Sequence, residues 1–178
     1  MGITIHYRFL RKQEPTELLK NVEQIGLKLG FKVESKNKNS IVFNPHKNSE
    51  WIDLTFESVK DIRAKNEGWN YNQSTLKEFN NPNDCEFYCS GFCKTQYAGI
   101  ETHIKVAEFL RVIASFCSES IIYDEGDYYE SQNLEQAIKS FDSSSKMISN
   151  LLGVLKGMAK DNSDIKIISS IDKEESEL

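Results

Sequence analysis

The chain has no run of apolar residues long enough to cross a membrane and no cluster of basic residues. Its apolar stretches fall well short of the roughly 20 residues that a membrane-spanning helix needs, and residues 1–6 lack the charged and apolar regions of a secretory signal. Acidic residues outnumber lysine and arginine by 27 to 22, for a net charge of −5. Since binding to a nucleic-acid backbone requires grouped positive charge, these absences predict a cytoplasmic protein that binds neither nucleic acid nor a membrane.

Local motifs for phosphate and metal binding are missing too. There is no Gly-x-x-x-x-Gly-Lys or Gly-x-Gly-x-x-Gly loop, no EF-hand and no His-Glu-x-x-His pair. The cysteines are Cys85, Cys89, Cys93 and Cys117, without the C-x₂-C spacing of zinc ribbons. In an extended strand, residues four apart are separated by about 13 Å, so Cys85, Cys89 and Cys93 could not share one metal ion there. We therefore predict buried, reduced thiols. A hairpin at Ser90-Gly91 would bring Cys89 and Cys93 together and leaves a metal site or a disulfide open.

The middle of the chain predicts a strand, a helix and a second strand. The first strand ends at Lys94-Thr95-Gln96, and the second, Ile121-Ile122-Tyr123, leads into Asp124-Glu125-Gly126. Between them, from residue 99 to 117, apolar residues repeat at the spacing of one helix face, and His103 lies on that face. A helix that joins two strands in this way makes a βαβ unit, whose strands run parallel and end at the same edge of the sheet.

The flanking segments supply further strands and two more helices. Alternating residues from 3 to 9 predict a strand with one buried face. The apolar stripe between Pro15 and Gly30 predicts a helix with proline in its first turn and glycine after its end. Short strands are expected between residues 31 and 56, and a long helix after Asn133.

These elements predict a single α+β domain. A chain of 178 residues suits one hydrophobic core. We assign the domain to residues 1–160 and a polar C-terminal tail to residues 161–178. The expected architecture is a mixed β-sheet that contains the one βαβ unit, with three main helices packed on it.

Polar side chains gather at the edge where the strands of the βαβ unit end. Open α/β sheets bind ligands at such edges, and the amides of a helix N-terminus favour an anion. We therefore predict a non-catalytic binding or regulatory module that takes a small anion or a peptide carboxylate there. Its expected partner is a small anionic ligand or another protein. The predicted ligand-binding residues are Lys94, Thr95, Gln96, His6, Asp127 and Tyr128. Of these, His6 joins the site only if its face of the sheet is open.

A purely structural interpretation of the same residues remains open. Lys94 could pair with Asp124 or Glu125 across the strand ends, and Thr95 could cap the helix. In that case the polar groups satisfy one another, and the edge needs no ligand.

An enzymatic interpretation also remains open. Here His103, Asp124 and Glu125 are catalytic and hold a divalent cation that activates water, as in a metal-assisted hydrolase. This hypothesis requires His103 and at least two carboxylates to converge on one point. A nucleophilic Cys93 beside Lys94 is a further enzymatic option.

Apolar residues repeat at alternating spacings of four and three along the helix that follows Asn133. The heptad pattern is interrupted at Ser145. The helix therefore either packs this seam on the sheet or pairs with a second copy of the chain. The predicted homodimer contacts are Leu134, Ile138, Phe141, Ile148, Leu152 and Leu155.

Several short motifs together resemble an uncharacterised family of small bacterial and archaeal proteins. The motifs are Ile3-Thr4-Ile5-His6-Tyr7-Arg8, Lys94-Thr95-Gln96-Tyr97-Ala98-Gly99 with His103 and Leu110-Arg111, and Asp124-Glu125-Gly126 with Tyr128 or Tyr129 and Glu130. The resemblance spans residues 1 to about 140. It brings no known activity, substrate or cofactor, and it implies only that this part of the chain forms a domain.

Overall fold

The computed structural model describes residues 3–64, 76–143 and 146. The chain divides into two compact units, one formed by residues 2–141 and the other by Met1 with residues 142–178. The first unit contains both β-sheets and the helices around them. The predicted tail at 161–178 and the predicted domain end at residue 160 lie outside the described residues.

Within the described residues, seven strands form two sheets. The strands are β1 (Thr4–Arg11), β2 (Lys32–Lys36), β3 (Ser40–Asn44), β4 (Ile52–Thr55), β5 (Glu57–Ser58), β6 (Phe87–Lys94) and β7 (Glu119–Asp124). The larger sheet has the order β5-β6-β1-β7 and the smaller one the order β2-β3-β4. Every pair of hydrogen-bonded strands is antiparallel.

Helices follow the first, fifth, sixth and seventh strands. They are α1 (Thr16–Lys28), α2 (Val59–Ala64), α3 (Ile100–Ser115) and α4 (Tyr128–Ser131). A further helix, α5, begins at residue 134 and is described as far as residue 143. Short 3₁₀ turns form at Pro82–Asp84 and Gln96–Ala98.

The predicted α+β class is confirmed, but the strands of the central unit are not neighbours. β1 lies between β6 and β7 and is antiparallel to both. β6 and β7 therefore run parallel to each other and end at the same edge, in a split β-α-β arrangement. Because β1 is antiparallel to both of its neighbours, the four-stranded sheet is antiparallel where a mixed sheet is predicted, and β2, β3 and β4 form a second antiparallel sheet.

The inner face of β1 supplies the centre of the main core. Ile5, Tyr7 and Phe9 have no exposed surface, as the alternating pattern predicts. They belong to one cluster with buried residues of α1, α3 and the three-stranded sheet. α1 and α3 thus lie on the inner side of the four-stranded sheet.

The outer face of this sheet is covered at one end by a second, smaller core. Leu10 and Tyr88 pack there against α2 and against residues between 76 and 85. The other members are Val59, Ile62, Leu76, Phe79 and Cys85. Toward the other end of the face, Phe92, His6 and Tyr123 are exposed. Trp51, just before β4, is also exposed and lines a groove together with Phe92, and we call these four aromatic side chains the open face.

Candidate functional site

His103 lies where the sequence places it, in the first turns of α3 and facing the sheet. Its ring has no exposed surface. Nδ1 lies 2.8 Å from Oγ1 of Thr95, and Nε2 lies 3.0 Å from Oδ2 of Asp124. Since β6 and β7 end at the same edge, the residue after β6 and the last residue of β7 reach the ring from two sides. The structure therefore brings together three of the predicted site residues.

Asp124 accepts hydrogen bonds from three groups. Besides His103, the amide of Gly126 donates to Oδ1 at 2.7 Å and the amide of Tyr129 donates to Oδ2 at 2.9 Å. Burial alone would raise the pKa of Asp124, but these hydrogen bonds and the charge of His103 outweigh it and hold the pKa below its usual value. An ionised carboxylate only accepts hydrogen bonds, so Nε2 of His103 carries a proton.

Backbone and aromatic groups enclose the same ring. Gly126 lies so close that a Cβ there would be 2.6 Å from Nε2 of His103. The ring of Phe141 in α5 meets the imidazole edge to face, with 5.0 Å between the ring centroids. With Thr95 and Asp124 also buried, the cluster is internal and ties the strand ends to α3.

Glu125 does not join this cluster. Its Oε2 accepts a hydrogen bond of 3.0 Å from the amide of Thr4. His103 thus meets one carboxylate, that of Asp124, where the hydrolase hypothesis requires two. Among the residues that the structure describes, no group of three His, Cys, Asp or Glu side chains could share a metal ion.

The remaining predicted residues at this edge differ in how far they are buried. Gln96 is buried, whereas Asp127 is exposed and Tyr128 is partly exposed. The ammonium of Lys94 lies 5.7 Å from the centroid of the Tyr97 ring. These residues lie at the edge as predicted, but they do not converge on one point with His103.

Thr95 does not cap α3, contrary to the structural interpretation. Its hydroxyl binds His103, and the N-terminus of α3 has no side-chain cap, with Gly99 at the capping position. The physical reason is the 3₁₀ turn at Gln96–Ala98, which separates Thr95 from the first turn of α3.

Cys93 is unsuited to act as a nucleophile. It is buried in the continuous strand β6, without a hairpin at Ser90-Gly91, and its thiol donates to the carbonyl of Glu50 at 3.1 Å. Burial and the nearby charge of Glu50 raise its pKa to about 12. The thiolate is therefore scarce at neutral pH. All four cysteines are free.

His6 lies on the opposite side of the sheet from His103. It is paired in register with Phe92 on β6 and Tyr123 on β7, whereas Ile5 is paired with Asp124. Adjacent strand residues point to opposite faces, so His6 faces outward and Asp124 inward. The ring centroid of His6 lies 6.1 Å from that of Phe92 and 6.2 Å from that of Tyr123.

Apart from His6, the open face consists of large side chains that sequence reasoning missed. Trp51, Phe92 and Tyr123 are 56%, 55% and 60% exposed. They lie on three different strands or strand extensions, and His6 stands between Phe92 and Tyr123. Their spacing along the sequence gives no signal, because strand pairing alone brings them together.

A groove runs along the open face between β4 and β6. The hydroxyl of Tyr7 reaches from the inner side into the gap, where it donates to the carbonyl of Asp53 at 2.9 Å and accepts from its amide at 3.0 Å. Burial raises the pKa of Tyr7 well above its usual value, so the hydroxyl remains a donor. Gly91 makes room, since a Cβ there would lie 2.4 Å from the hydroxyl.

The groove has a volume of about 530 Å³ and an acidic character. Its described lining is Ser49, Glu50, Trp51, Asp53, Ser90, Gly91 and Phe92. Two of these seven residues carry carboxylates and none carries a positive charge. Trp51 and Phe92 supply its aromatic surface.

The seam of α5 is divided between core and surface. Ala137 and Phe141 are buried, whereas Leu134 and Ile138 are exposed. Ile148, Leu152 and Leu155 lie outside the described residues. The homodimer stays a prediction that rests here on Leu134 and Ile138.

Comparison with known proteins adds no relative. No family model, no curated protein and no solved structure matches the chain. The resemblance to an uncharacterised family of small bacterial and archaeal proteins therefore stays a prediction. Within its described part, the chain contains no helix with the length and apolar character needed to span a membrane.

Proposed function

We propose that this protein is a non-catalytic binding module that holds a segment of a protein partner on the open face. The carrying observation is that Phe92 and Tyr123 are more than half exposed on the outer face of the four-stranded sheet, and that Trp51, which is also more than half exposed, lines a groove together with Phe92. Tryptophan, tyrosine and phenylalanine are enriched at the centres of protein interfaces. A group of such side chains held side by side on a rigid sheet is typical of a docking surface.

The buried cluster around His103 supports a binding role over a catalytic one. His103, Thr95 and Asp124 hydrogen-bond to one another inside the protein. A catalytic group must come within hydrogen-bond reach of a substrate. These three side chains instead fix the position of α3 and of the strand ends, which keeps the four-stranded sheet rigid beneath its open face.

Charge favours a basic protein segment as the partner. The chain carries a net charge of −5, and the groove on the open face contains Glu50 and Asp53. Complementary charge raises association rates and selects among partners. The same charge disfavours nucleic acid. The small anion expected from the sequence is a weaker candidate, because Thr95 and Gln96 are buried.

The test is selection of ligands from a random peptide display library against the purified protein. Each selected peptide is then measured against the double variant Phe92→Ser with Tyr123→Ser. The matched control is Tyr97→Ser with Phe116→Ser, since Tyr97 and Phe116 are also large and exposed but lie outside the open face. Circular dichroism and thermal unfolding establish that both variants fold.

We expect the peptides to lose at least tenfold in affinity for the open-face variant and to bind the control variant like the wild type, as removal of central aromatic side chains typically costs about 2 kcal/mol or more. Peptides that bind both variants equally, or a selection that yields none, would contradict the proposal.

A further inference from the structure

We infer that the groove between β4 and β6 is the subsite for an arginine side chain of the partner. The inference rests on the proposed function, and it names the chemical group that the open face recognises. Trp51 and Phe92 offer aromatic surface to the guanidinium, and Glu50 and Asp53 offer negative charge.

The aromatic side chains favour a flat cation. Trp51 and Phe92 both line the groove and both keep more than half of their surface exposed. A guanidinium stacks on aromatic rings through cation–π attraction, and tryptophan is the strongest partner for it. A neutral apolar side chain would gain the contact area without this attraction.

The two carboxylates retain capacity to accept further hydrogen bonds. Glu50 Oε2 accepts from the amide of Lys94 at 3.2 Å, and Asp53 Oδ1 accepts from the hydroxyl of Thr55 at 2.6 Å. Each carboxylate has two oxygens and about four lone-pair sites. The five N–H groups of a guanidinium form a rigid fork that matches a carboxylate, which favours arginine over lysine.

No cation among the groove residues competes for this position. The described lining contains no lysine, arginine or histidine. Lys94, the residue after the buried Cys93, places its ammonium over the ring of Tyr97. The charge of the groove is therefore available to a positive group from outside.

The floor of the groove is fixed in advance. Tyr7 hydrogen-bonds to both backbone groups of Asp53, and the absence of a side chain at Gly91 leaves room for the Tyr7 hydroxyl between β4 and β6. A preformed site loses little entropy when a ligand enters. This rigidity suits the recognition of one side chain at a defined position in an extended segment.

The experiment compares arginine with citrulline, which has nearly the same shape and no charge. The probes are acetyl-Gly-Ser-Arg-Ser-Gly-amide and the same peptide with citrulline, each added to the ¹⁵N-labelled full chain. Two-dimensional NMR follows the amides of Gly91 and Phe92 and the indole N–H of Trp51. The variant Trp69→Phe assigns the indole signals, because the chain has two tryptophans.

We expect saturable shifts of these signals with the arginine peptide and binding about tenfold weaker with citrulline. The double variant Glu50→Gln with Asp53→Asn should bind the arginine peptide more weakly than the wild type by a similar factor. Its control is Glu130→Gln with Glu135→Gln, which makes the same change in net charge at exposed positions outside the groove and should leave binding unchanged.

Equal binding of the two peptides would overturn the inference. So would unchanged binding to the Glu50→Gln, Asp53→Asn variant. If that variant does not fold, the comparison of the two peptides on the wild-type chain still decides. Library peptides that need the open face but show no preference for arginine would overturn this inference alone, whereas the absence of any peptide that depends on the open face would contradict the proposed function.

Discussion

The backbone of Gly126 and the imidazole of His103 are in such close contact that a side chain at position 126 has no room. A Cβ there would lie 2.6 Å from Nε2 and 2.9 Å from Cε1 of His103. The amide of Gly126 also donates to Asp124, the hydrogen-bond partner of His103. Glycine at 126 is thus required by the close packing of the turn after β7 on the ring.

We expect Gly126→Ala to destabilise the fold by about 1–3 kcal/mol, as is typical of overpacking in a rigid core. Urea unfolding followed by circular dichroism measures the change. The control is Gly30→Ala, where the added methyl group meets open space and only the left-handed backbone, with φ of +84°, disfavours alanine; it should cost about 1 kcal/mol. A smaller loss at 126 than at 30 would show that the turn moves away freely.

Acid should weaken the fold through Asp124. Its folded pKa lies below its usual value, so its contribution to stability is fully present above the unfolded pKa of about 3.9. As the pH falls through the folded pKa, the unfolded state binds the proton first and this contribution is lost. We expect the free energy of unfolding of the wild type to decrease below about pH 4.

The variant Asp124→Asn separates the contribution of Asp124 to acid sensitivity from the contributions of other carboxylates. It should be less stable than the wild type at pH 7 by about 1–3 kcal/mol, because a buried hydrogen-bond acceptor for three donors is altered. Its stability should also depend less on pH below 4 than that of the wild type. Urea unfolding from pH 7 to pH 3 measures both quantities, with Asp127→Asn as the exposed control. Parallel pH curves for the wild type and Asp124→Asn would show that Asp124 does not carry the acid sensitivity.

The encounter of His103 with Asp124 could be predicted from the sequence, because it depends on local rules. Helical periodicity places His103 on the buried face of α3, and a strand-helix-strand unit with parallel strands ends both strands at one edge. The divergence of Glu125 also follows a local rule. Side chains alternate only along the strand, and β7 ends at Asp124, so Glu125 in the following turn is not held on the side that faces His103.

The open face could not be predicted, because it depends on contacts between distant segments. Phe92 looks like one more apolar residue of a buried strand until Cys89, Gly91 and Cys93 are known to face inward. Whether the outer side is covered depends on packing between distant segments, and among the described residues Leu76 and Phe79 pack at the end of the face that carries Leu10 and Tyr88. The position of β1 between β6 and β7 likewise depends on pairing between distant segments, which hydrophobic periodicity does not predict.

The exposed part of the α5 seam predicts self-association. Leu134 and Ile138 lie one helical turn apart and are both exposed, while their neighbours Ala137 and Phe141 are buried. We expect the double variant Leu134→Ser with Ile138→Ser to shift a monomer–dimer equilibrium toward the monomer. Sedimentation equilibrium over a range of concentrations measures this, with Lys139→Ser as the control on the same helix. A wild-type chain that stays monomeric at the highest concentration would contradict the homodimer.

The hydrogen bonds between the Tyr7 hydroxyl and the backbone of Asp53 give a separate prediction about stability. Tyr7→Phe removes one oxygen and leaves both the amide and the carbonyl of Asp53 without the partner they have in the native fold. The two hydrogen bonds are partly buried, and at a typical net contribution of about 0.5–1.5 kcal/mol each their loss costs about 1–3 kcal/mol, which is the loss we expect in urea unfolding. Tyr123→Phe, which removes the same oxygen from an exposed ring on the open face, should change stability by less than about 0.5 kcal/mol. Equal effects of the two substitutions would mean that the Tyr7 hydroxyl does not hold the backbone of Asp53 in place, and the preformed floor of the arginine groove would lose its physical basis.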